Sequence, residues 1–311
     1  MKKDIFRLLT VIMLSFLIGV LVGGKLNGDG VKYKIKNHLY ESRIANNYFL
    51  SQEKNSTYKT AVNSVPCPTG NYLGVVTFGQ SHMANFIPRK KLIKQIDRKT
   101  YMYDWTDRKC YPYSEPLAGT NGNDAGNLFS DVLLELRREG FQKDIIVAPL
   151  AHSGSSVFLW WAGLKRKRLD FFLETTSKNQ LKFDVWLWHQ GAADAVPIEY
   201  VRNKNIAYGQ KKGEIEEFYS SALTSIFNLV KQYNSEAKFG VSIASICDNN
   251  GSESIQKAQK MVINNNKEVF FSTNTDTLDN TYRWDGCHFN EEGARKIAKD
   301  YASLLLRIAN E

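Results

Sequence analysis

The chain has 311 residues, of which 43% are hydrophobic and 23% are charged. This size and composition are typical of one large globular domain with a sizeable core, with or without small appendages. The formal net charge of +9 favours anionic partners, but the lysines are spread along the chain, which indicates a solvated surface. The sequence has no arginine-rich arm, zinc-finger spacing or RNA-binding signature, which argues against a nucleic-acid partner.

An apolar run close to the N-terminus is the first feature along the chain. Lys2, Lys3 and Arg7 precede it, and it covers residues 8–24. Its length reaches the lower limit for crossing a bilayer and exceeds the usual core of a signal peptide. We predict an uncleaved transmembrane anchor over residues 1–27, with a cleaved secretion signal as the alternative. The positive residues before the run place the rest of the chain outside the cytoplasm, in the periplasm or the extracellular space.

A polar segment follows the apolar run. Residues 28–70 are rich in Lys, Asn, Ser and Tyr and end in the turn-like segment 66–70. We interpret this segment as a stalk or extension and residues 71–311 as the main domain.

Four cysteines, Cys67, Cys110, Cys247 and Cys287, lie outside the apolar run. None has C-x-x-C spacing, which argues against a zinc site. In an oxidising compartment disulfides are expected, and four cysteines allow three full pairings. Order along the chain favours Cys67–Cys110 and Cys247–Cys287, and buried free thiols remain the alternative.

Five nearly continuous runs of β-branched and aromatic residues predict strands that are covered on both faces. They lie at residues 72–78, 144–150, 183–188, 238–244 and 268–272. Amphipathic helical patterns occupy residues 128–136, 218–230 and 293–308. Strands that alternate with helices predict an α/β fold with a parallel sheet, whose functional site lies at the carboxyl ends of the strands.

A serine directly after the first strand is the strongest single signal of chemistry. It lies in the segment Gly79-Gln80-Ser81-His82. At a strand end near a helix start, a hydroxyl is presented at the top of the sheet, where helix amides favour negative charge. The alternative interpretation is an ordinary N-cap serine.

Two further polar segments lie at predicted loops. Asp285 and His288 are three residues apart just before the C-terminal helix, where His could take a serine proton and Asp could hold its tautomer. The alternative is a loop histidine that caps the helix. Gln190 and Gly191 follow a strand and could donate to an oxyanion, or could simply be a polar strand end.

Together these segments resemble the SGNH (GDSL-like) hydrolase superfamily, and within it the carbohydrate esterases with a sialate O-acetylesterase-type domain. That branch carries a G-Q-S-N-M-like segment, a W-x-Q-G-E-x-D-like segment and a final D-x-x-H. The counterparts here are residues 79–83, 188–194 and 285–288. Residues 114–129 and 151–160 resemble two more segments of the family, and all five occur in the family's order.

Three residues depart from the family's pattern. His82 stands where Asn is usual, Ala192 where Glu is usual, and Ser153 in place of one glycine. None of the three removes a presumed catalytic group, but together they leave the substrate open.

The resemblance implies a flavodoxin-like three-layer α/β/α sandwich with a central parallel sheet and with neither metal nor cofactor. It implies Ser81 as the nucleophile, His288 as the base and Asp285 as its partner. The implied oxyanion donors are the Ser81 amide, Gly122 or Gly126, and the Gln190 side chain. Residues of the matching segments are assigned to substrate contact: Gln80, His82, Ser155, Trp160, His189 and Asp194.

We therefore predict a carbohydrate O-acetylesterase, a serine hydrolase that acts on an acylated carbohydrate through an acyl-enzyme. The positive net charge of the chain favours an acidic glycan, such as sialic acid or an acidic polysaccharide, as the substrate. Plant-type acetyl-xylan is the main neutral alternative. The alternatives are a carbohydrate O-acetyltransferase with the same three residues and a non-catalytic glycan-binding protein. Four tryptophans are candidates for stacking on sugar rings, or else for packing in the core or at its rim: Trp105, Trp160, Trp161 and Trp284.

Overall fold

The computed structural model describes residues 62–195 and 212–310 except Asn123 and Asn249, together with residues 52, 53, 57 and 59. The predicted anchor and most of the predicted stalk lie outside the described residues, and the predicted domain boundaries stay predictions. In the part of the chain that is described, no helix is both long enough and apolar enough to cross a membrane. The chain divides into two compact units, Met1–Asn55 and Ser56–Glu311, and the sheet lies in the second.

A seven-stranded sheet forms the centre of this second unit. Its strands are β1 (Tyr72–Gly79), β2 (Thr100–Asp104), β3 (Lys109–Pro112), β4 (Asp144–Pro149), β5 (Val185–His189), β6 (Lys238–Ile243) and β7 (Val269–Asn274). Their order is β3-β2-β4-β1-β5-β6-β7, and every neighbouring pair is parallel except β2 and β3. Without the β2–β3 hairpin, the order corresponds to the 2-1-3-4-5 arrangement of flavodoxin-like sheets. The predicted α/β fold is confirmed, and the central sheet is parallel as predicted except for the antiparallel pair β2 and β3.

Helices follow each of the strands β3 to β7. They are α1 (Leu128–Arg138), α2 (Val157–Trp161), α3 (Leu164–Lys178), α4 (Ala192–Ala195), α5 (Lys212–Tyr233), α6 (Glu253–Asn265) and α7 (Glu291–Ala309). Helices α1 and α7 pack against each other, whereas α5 packs against α2, α3 and α6.

Alternating side chains of the strands place these two groups of helices on opposite faces of the sheet. Val75 of β1 lies in one apolar cluster with residues of α1 and α7. Phe78, also of β1, contacts Trp160 of α2, and Trp186 of β5 contacts Phe172 of α3. Val75 and Phe78 are three residues apart on one strand, so their side chains point to opposite faces of the sheet. Both faces of the sheet are therefore covered by helices. Full burial of each such side chain contributes about 1.5–3 kcal/mol.

The two disulfides follow the order-based pairing, which is confirmed. Cys67–Cys110 joins the segment before β1 to β3, and the Val65 amide also donates to the Cys110 carbonyl oxygen at 2.8 Å. Cys247–Cys287 joins the loop after β6 to the loop before α7. None of the four cysteines is free, so the alternative of buried thiols is wrong.

Candidate active site

Ser81 lies directly beyond β1, at the carboxyl edge of the sheet. It begins a short 3-10 turn, Ser81–Met83. Gly79 has a φ of +113°, and a Cβ there would lie 2.4 Å from the carbonyl oxygen of His189, so only glycine fits the bend. The Gln80 amide then donates to the same oxygen at 3.0 Å, which fixes the turn to the neighbouring strand β5.

Three side chains from two distant parts of the sequence form one chain of hydrogen bonds. Nε2 of His288 lies 2.8 Å from Oγ of Ser81, and Nδ1 of His288 lies 2.7 Å from Oδ2 of Asp285. Because an ionised carboxylate only accepts, the Nδ1 atom carries the hydrogen and Nε2 is left to accept from the serine hydroxyl. The structure thus brings together the three residues that the sequence predicts as nucleophile, base and partner.

The electrostatics of Asp285 support this arrangement. Partial burial raises the pKa of its carboxyl, but hydrogen bonds from the His288 ring and from the amides of His288 and Cys287 outweigh burial and lower the pKa below its ordinary value. The carboxylate therefore stays ionised at neutral pH and holds the imidazole tautomer. The Ser81 residue is 4% exposed and the His288 side chain 16%, so the site lies just below the surface.

The two glycines predicted as oxyanion donors differ in their surroundings. Gly126 is buried, and its amide donates to the carbonyl oxygen of Ile87 at 2.8 Å. Gly122 is exposed, and a Cβ there would meet the carbonyl oxygen of Asn85 at 2.2 Å, so its backbone lies against the segment that follows Ser81. Gly122 is therefore the better candidate of the two.

Gln190 does not have the surroundings expected of an oxyanion donor. Its side chain is fully buried, and Nε2 donates to the Ser155 carbonyl oxygen at 3.1 Å and to the Asp194 carboxylate. Its Oε1 accepts from the Tyr219 hydroxyl at 3.0 Å. Both hydrogens of the side-chain amide are engaged inside the protein, so this geometry does not support the predicted role.

The residues predicted to contact substrate lie beneath the site. They are each at most 9% exposed: Gln80, His82, Ser155, Trp160, His189 and Asp194. Ser155 accepts from Trp160 Nε1 at 2.8 Å and donates to the Gly79 carbonyl oxygen at 2.9 Å. Asp194 accepts the Val157 amide at the start of α2 at 3.0 Å. Such contacts hold the loops in place, and burial does not favour direct contact with a substrate.

Gln80 and His82 form a hydrogen-bonded pair below the site. Oε1 of Gln80 accepts the amides of Gly191 at 3.1 Å and Ala193 at 3.2 Å, which fixes the orientation of its side-chain amide. Nε2 of Gln80 then donates to Nδ1 of His82 at 3.2 Å. The hydrogen of the His82 ring is therefore on Nε2, which donates to the Cys287 carbonyl oxygen at 3.0 Å.

His82 is held in the neutral state. Burial lowers its pKa well below the ordinary value, and the neighbouring His189, His288 and Arg283 lower it further. Its ring stacks on that of His189, with the ring centroids 4.9 Å apart. Because its acceptor, Cys287, immediately precedes His288, His82 joins the 3-10 turn to the loop that carries the imidazole.

Two aromatic rings stack on His288. The Phe86 ring is 4.6 Å from the imidazole and that of Trp284 is 6.1 Å away, measured between centroids. Trp284 is 48% exposed, whereas Trp105 and Trp160 are fully buried. Phe86 belongs to none of the predicted site residues, and its aromatic ring in the segment after the serine is the signal that marks it in the sequence. In the described part of the chain, no group of His, Cys, Asp and Glu is arranged to hold a metal ion.

Comparison with known proteins establishes the fold. No protein-family model matches the sequence, and no curated protein matches it. A solved protein from Arabidopsis thaliana is 14% identical, with a TM-score of 0.55 over 76% of this chain and 98% of its own. NanS is 13% identical, with a TM-score of 0.50 over 78% and 99%. A family 3 carbohydrate esterase from Talaromyces cellulolyticus is 12% identical, with a TM-score of 0.46 over 76% and 98%.

This chain shares the fold of the Arabidopsis thaliana protein and of NanS, which agrees with the α/β fold that the sequence predicts. At identities this low, the likeness extends to the fold alone.

Proposed function

We propose that this protein is a serine esterase that removes O-acetyl groups from a carbohydrate. The observation that carries the proposal is the hydrogen-bond chain from Asp285 through His288 to Ser81 at the carboxyl edge of the sheet. The order of the family-like segments supplies the substrate class, because they resemble those of carbohydrate esterases.

The first half of the reaction transfers the acyl group to the protein. Oγ of Ser81 attacks the ester carbonyl carbon while Nε2 of His288 takes the hydroxyl proton, and Asp285 stabilises the imidazolium that forms. The tetrahedral intermediate collapses, the bond between the carbonyl carbon and the sugar oxygen breaks, and His288 returns the proton to that oxygen. An acetyl group remains on Ser81.

The second half consumes water. His288 removes a proton from a water molecule, whose oxygen attacks the acetyl carbonyl carbon. The intermediate collapses with loss of the Ser81 oxygen, which receives the proton from His288, and acetate leaves.

Backbone amides stabilise the oxyanion in both halves. Since the Gln190 amide is engaged elsewhere, we assign this role to the amides of Ser81 and Gly122. One such donor is worth about 10²–10³ in kcat.

A location outside the cytoplasm is part of the proposal. The apolar run over residues 8–24 supports it, as do the two disulfides, since disulfides persist in oxidising compartments. Fractionation of cells that express the full chain tests this, and recovery of the protein in the cytoplasmic fraction would contradict it.

The test of the activity compares the full chain with its Ser81→Ala variant. We expect the variant to release acetate from 4-nitrophenyl acetate and from acetylated oligosaccharides at least about 10³-fold more slowly, because the attacking oxygen is gone. Ser225→Ala is the matched control, since Ser225 is an exposed serine of α5, and it retains the full rate. Equal rates for Ser81→Ala and the unaltered protein would refute the mechanism. Transfer of acetyl to an added glycan, with a fall in free acetate, would instead indicate the transferase.

A further inference from the structure

A cavity of ≈ 940 Å³ opens beside the site. It is lined by residues from the three segments that also carry the reacting groups: the segment after Ser81, the turn that contains Gly122, and the segment from Trp284 to the first turn of α7. Its volume lies in the upper part of the range of about 300–1,000 Å³ that is usual for small-molecule sites.

Two aromatic residues connect this cavity to His288. Phe86 and Trp284 both line it, and both rings stack on the imidazole. Nε1 of Trp284 donates to the carbonyl oxygen of Phe86 at 3.1 Å, which fixes the indole in place although it is 48% exposed. A ring held in this way is a preformed apolar platform, since no side-chain freedom has to be lost when a ligand stacks on it.

The charges around the cavity balance. Three basic and three acidic residues line it: Arg89, Lys90, Arg295, Asp124, Glu291 and Glu292. Arg89 contacts the buried carboxylates of Glu115, at 3.2 Å, and Asp131. Arg295 lies 3.4 Å from Glu291. A polyanion would therefore meet three carboxylates, and two of the three cations, Arg89 and Arg295, already pair with carboxylates. Sugar hydroxyls, in contrast, can donate to the carboxylates and accept from the cations.

We propose that this cavity binds neutral sugar rings of the acylated carbohydrate, with Trp284 as the stacking platform. The inference rests on the proposed function, because it places the sugar next to the histidine that protonates the departing sugar oxygen. It replaces the acidic glycan favoured by the overall charge with an uncharged one.

Binding is tested without catalysis, in the full-length Ser81→Ala protein. Cellohexaose, xylohexaose and chitohexaose are the neutral probes and hexagalacturonate is the acidic probe of the same length, titrated by calorimetry. We expect at least one neutral probe to bind more tightly than hexagalacturonate, and Trp284→Leu to weaken that binding about tenfold through loss of stacking and buried area. Phe271→Leu is the matched control, since Phe271 is 49% exposed on β7 and does not line the cavity. Trp284→Phe keeps an aromatic face and restores most of the affinity.

The inference is overturned if no neutral probe binds, if hexagalacturonate binds more tightly, or if Trp284→Leu binds as well as the control. A kinetic comparison separates this inference from the proposed function. We compare kcat/KM for the acetylated neutral hexasaccharide with kcat/KM for 4-nitrophenyl acetate, whose leaving group carries no sugar. Trp284→Leu should lower the first value more than the second, so that their ratio falls. An unchanged ratio would show that Trp284 acts only through His288 and would overturn the inference. The esterase proposal is tested separately, by the rate of the Ser81→Ala variant.

Discussion

Two hydrogen bonds of His82 join the turn that carries Ser81 to the loop that carries His288. One comes from Gln80 and the other runs to the Cys287 carbonyl oxygen. The ring is 4% exposed, so both bonds are shielded from water. We therefore expect His82 to be a positioning residue, which sets how closely the imidazole approaches the serine hydroxyl.

The effect of the His82 ring on catalysis is tested by replacing it with alanine. We expect His82→Ala to lower kcat for 4-nitrophenyl acetate by about 10–100-fold, because a small displacement of a reacting group is costly. We expect KM to change little, and His82→Asn, which retains an amide donor, to keep more of the activity.

The pH profile of kcat distinguishes this role from proton transfer. Because His82 is neutral in the folded protein, its removal should lower the profile without moving it along the pH axis. A displaced profile, or an unchanged kcat in His82→Ala, would contradict the positioning role.

At the residue scale, the sequence is informative where a side chain follows the end of a recognisable element. Ser81 follows a strand and His288 precedes a helix, and both lie where their positions predict. The environment of Gln190 could not be predicted in the same way, because it depends on Ser155 and Tyr219, which come from other loops and helices. Burial and hydrogen-bond partners of a polar side chain are set by such long-range contacts.

At the scale of elements, the five predicted strands and three predicted helices are all present, whereas strands β2 and β3 and helices α2, α3, α4 and α6 were not predicted. Helix α3 contains Arg168, which is fully buried and donates to the carbonyl oxygens of Leu150 and Ala151 at 3.0 and 2.9 Å. A charged residue on the inward face breaks the apolar periodicity that identifies a helix. The β2–β3 hairpin is short, and its turn depends on Arg108 with a φ of 65°, which no turn motif signals.

The two disulfides offer a matched pair of experiments. They close loops of similar length, with sequence separations of 43 and 40 residues. Replacing either pair with alanine should therefore cost a similar free energy of unfolding, about 4 kcal/mol by loop closure. Only Cys247–Cys287 borders His288, whereas Cys110 lies on β3, with β2 and β4 between it and β1.

The kcat values of these two variants are measured at a temperature where both are folded. Their comparison shows which disulfide affects activity. We expect Cys247→Ala with Cys287→Ala to lower kcat about tenfold or more by loosening the loop that holds the imidazole. Cys67→Ala with Cys110→Ala should leave kcat close to that of the unaltered protein. Equal kcat values in the two variants would show that the loop is held without its disulfide.

At the scale of the whole molecule, buried histidines make stability depend on pH. Burial, and then Arg283, lower the pKa of His189 to about 3. In the unfolded chain its pKa is about 6.5, so below that pH the unfolded state binds more protons and stability falls until the pH reaches about 3. The lowered pKa of His82 acts in the same direction.

Urea unfolding at two pH values tests this dependence. From pH 7 to pH 5, we expect His189 alone to lower the free energy of unfolding by about 2 kcal/mol. The His189→Gln variant should be less stable than the unaltered protein at pH 7. On acidification to pH 5, its free energy of unfolding should fall by about 2 kcal/mol less. The same fall in the free energy of unfolding in both proteins would mean that His189 is already protonated at pH 5 in the folded state.

The outer edge of the sheet at β3 is paired at Cys110 with the chain's own backbone. The Val65 amide donates to the Cys110 carbonyl oxygen, and the disulfide between Cys67 and Cys110 links the same two segments covalently. An uncovered strand offers unpaired amides and carbonyls to other chains and so invites intermolecular β-pairing and aggregation. We therefore expect oxidative folding also to protect the solubility of this protein, and a reducing environment to expose this edge to self-association far from Ser81 and His288.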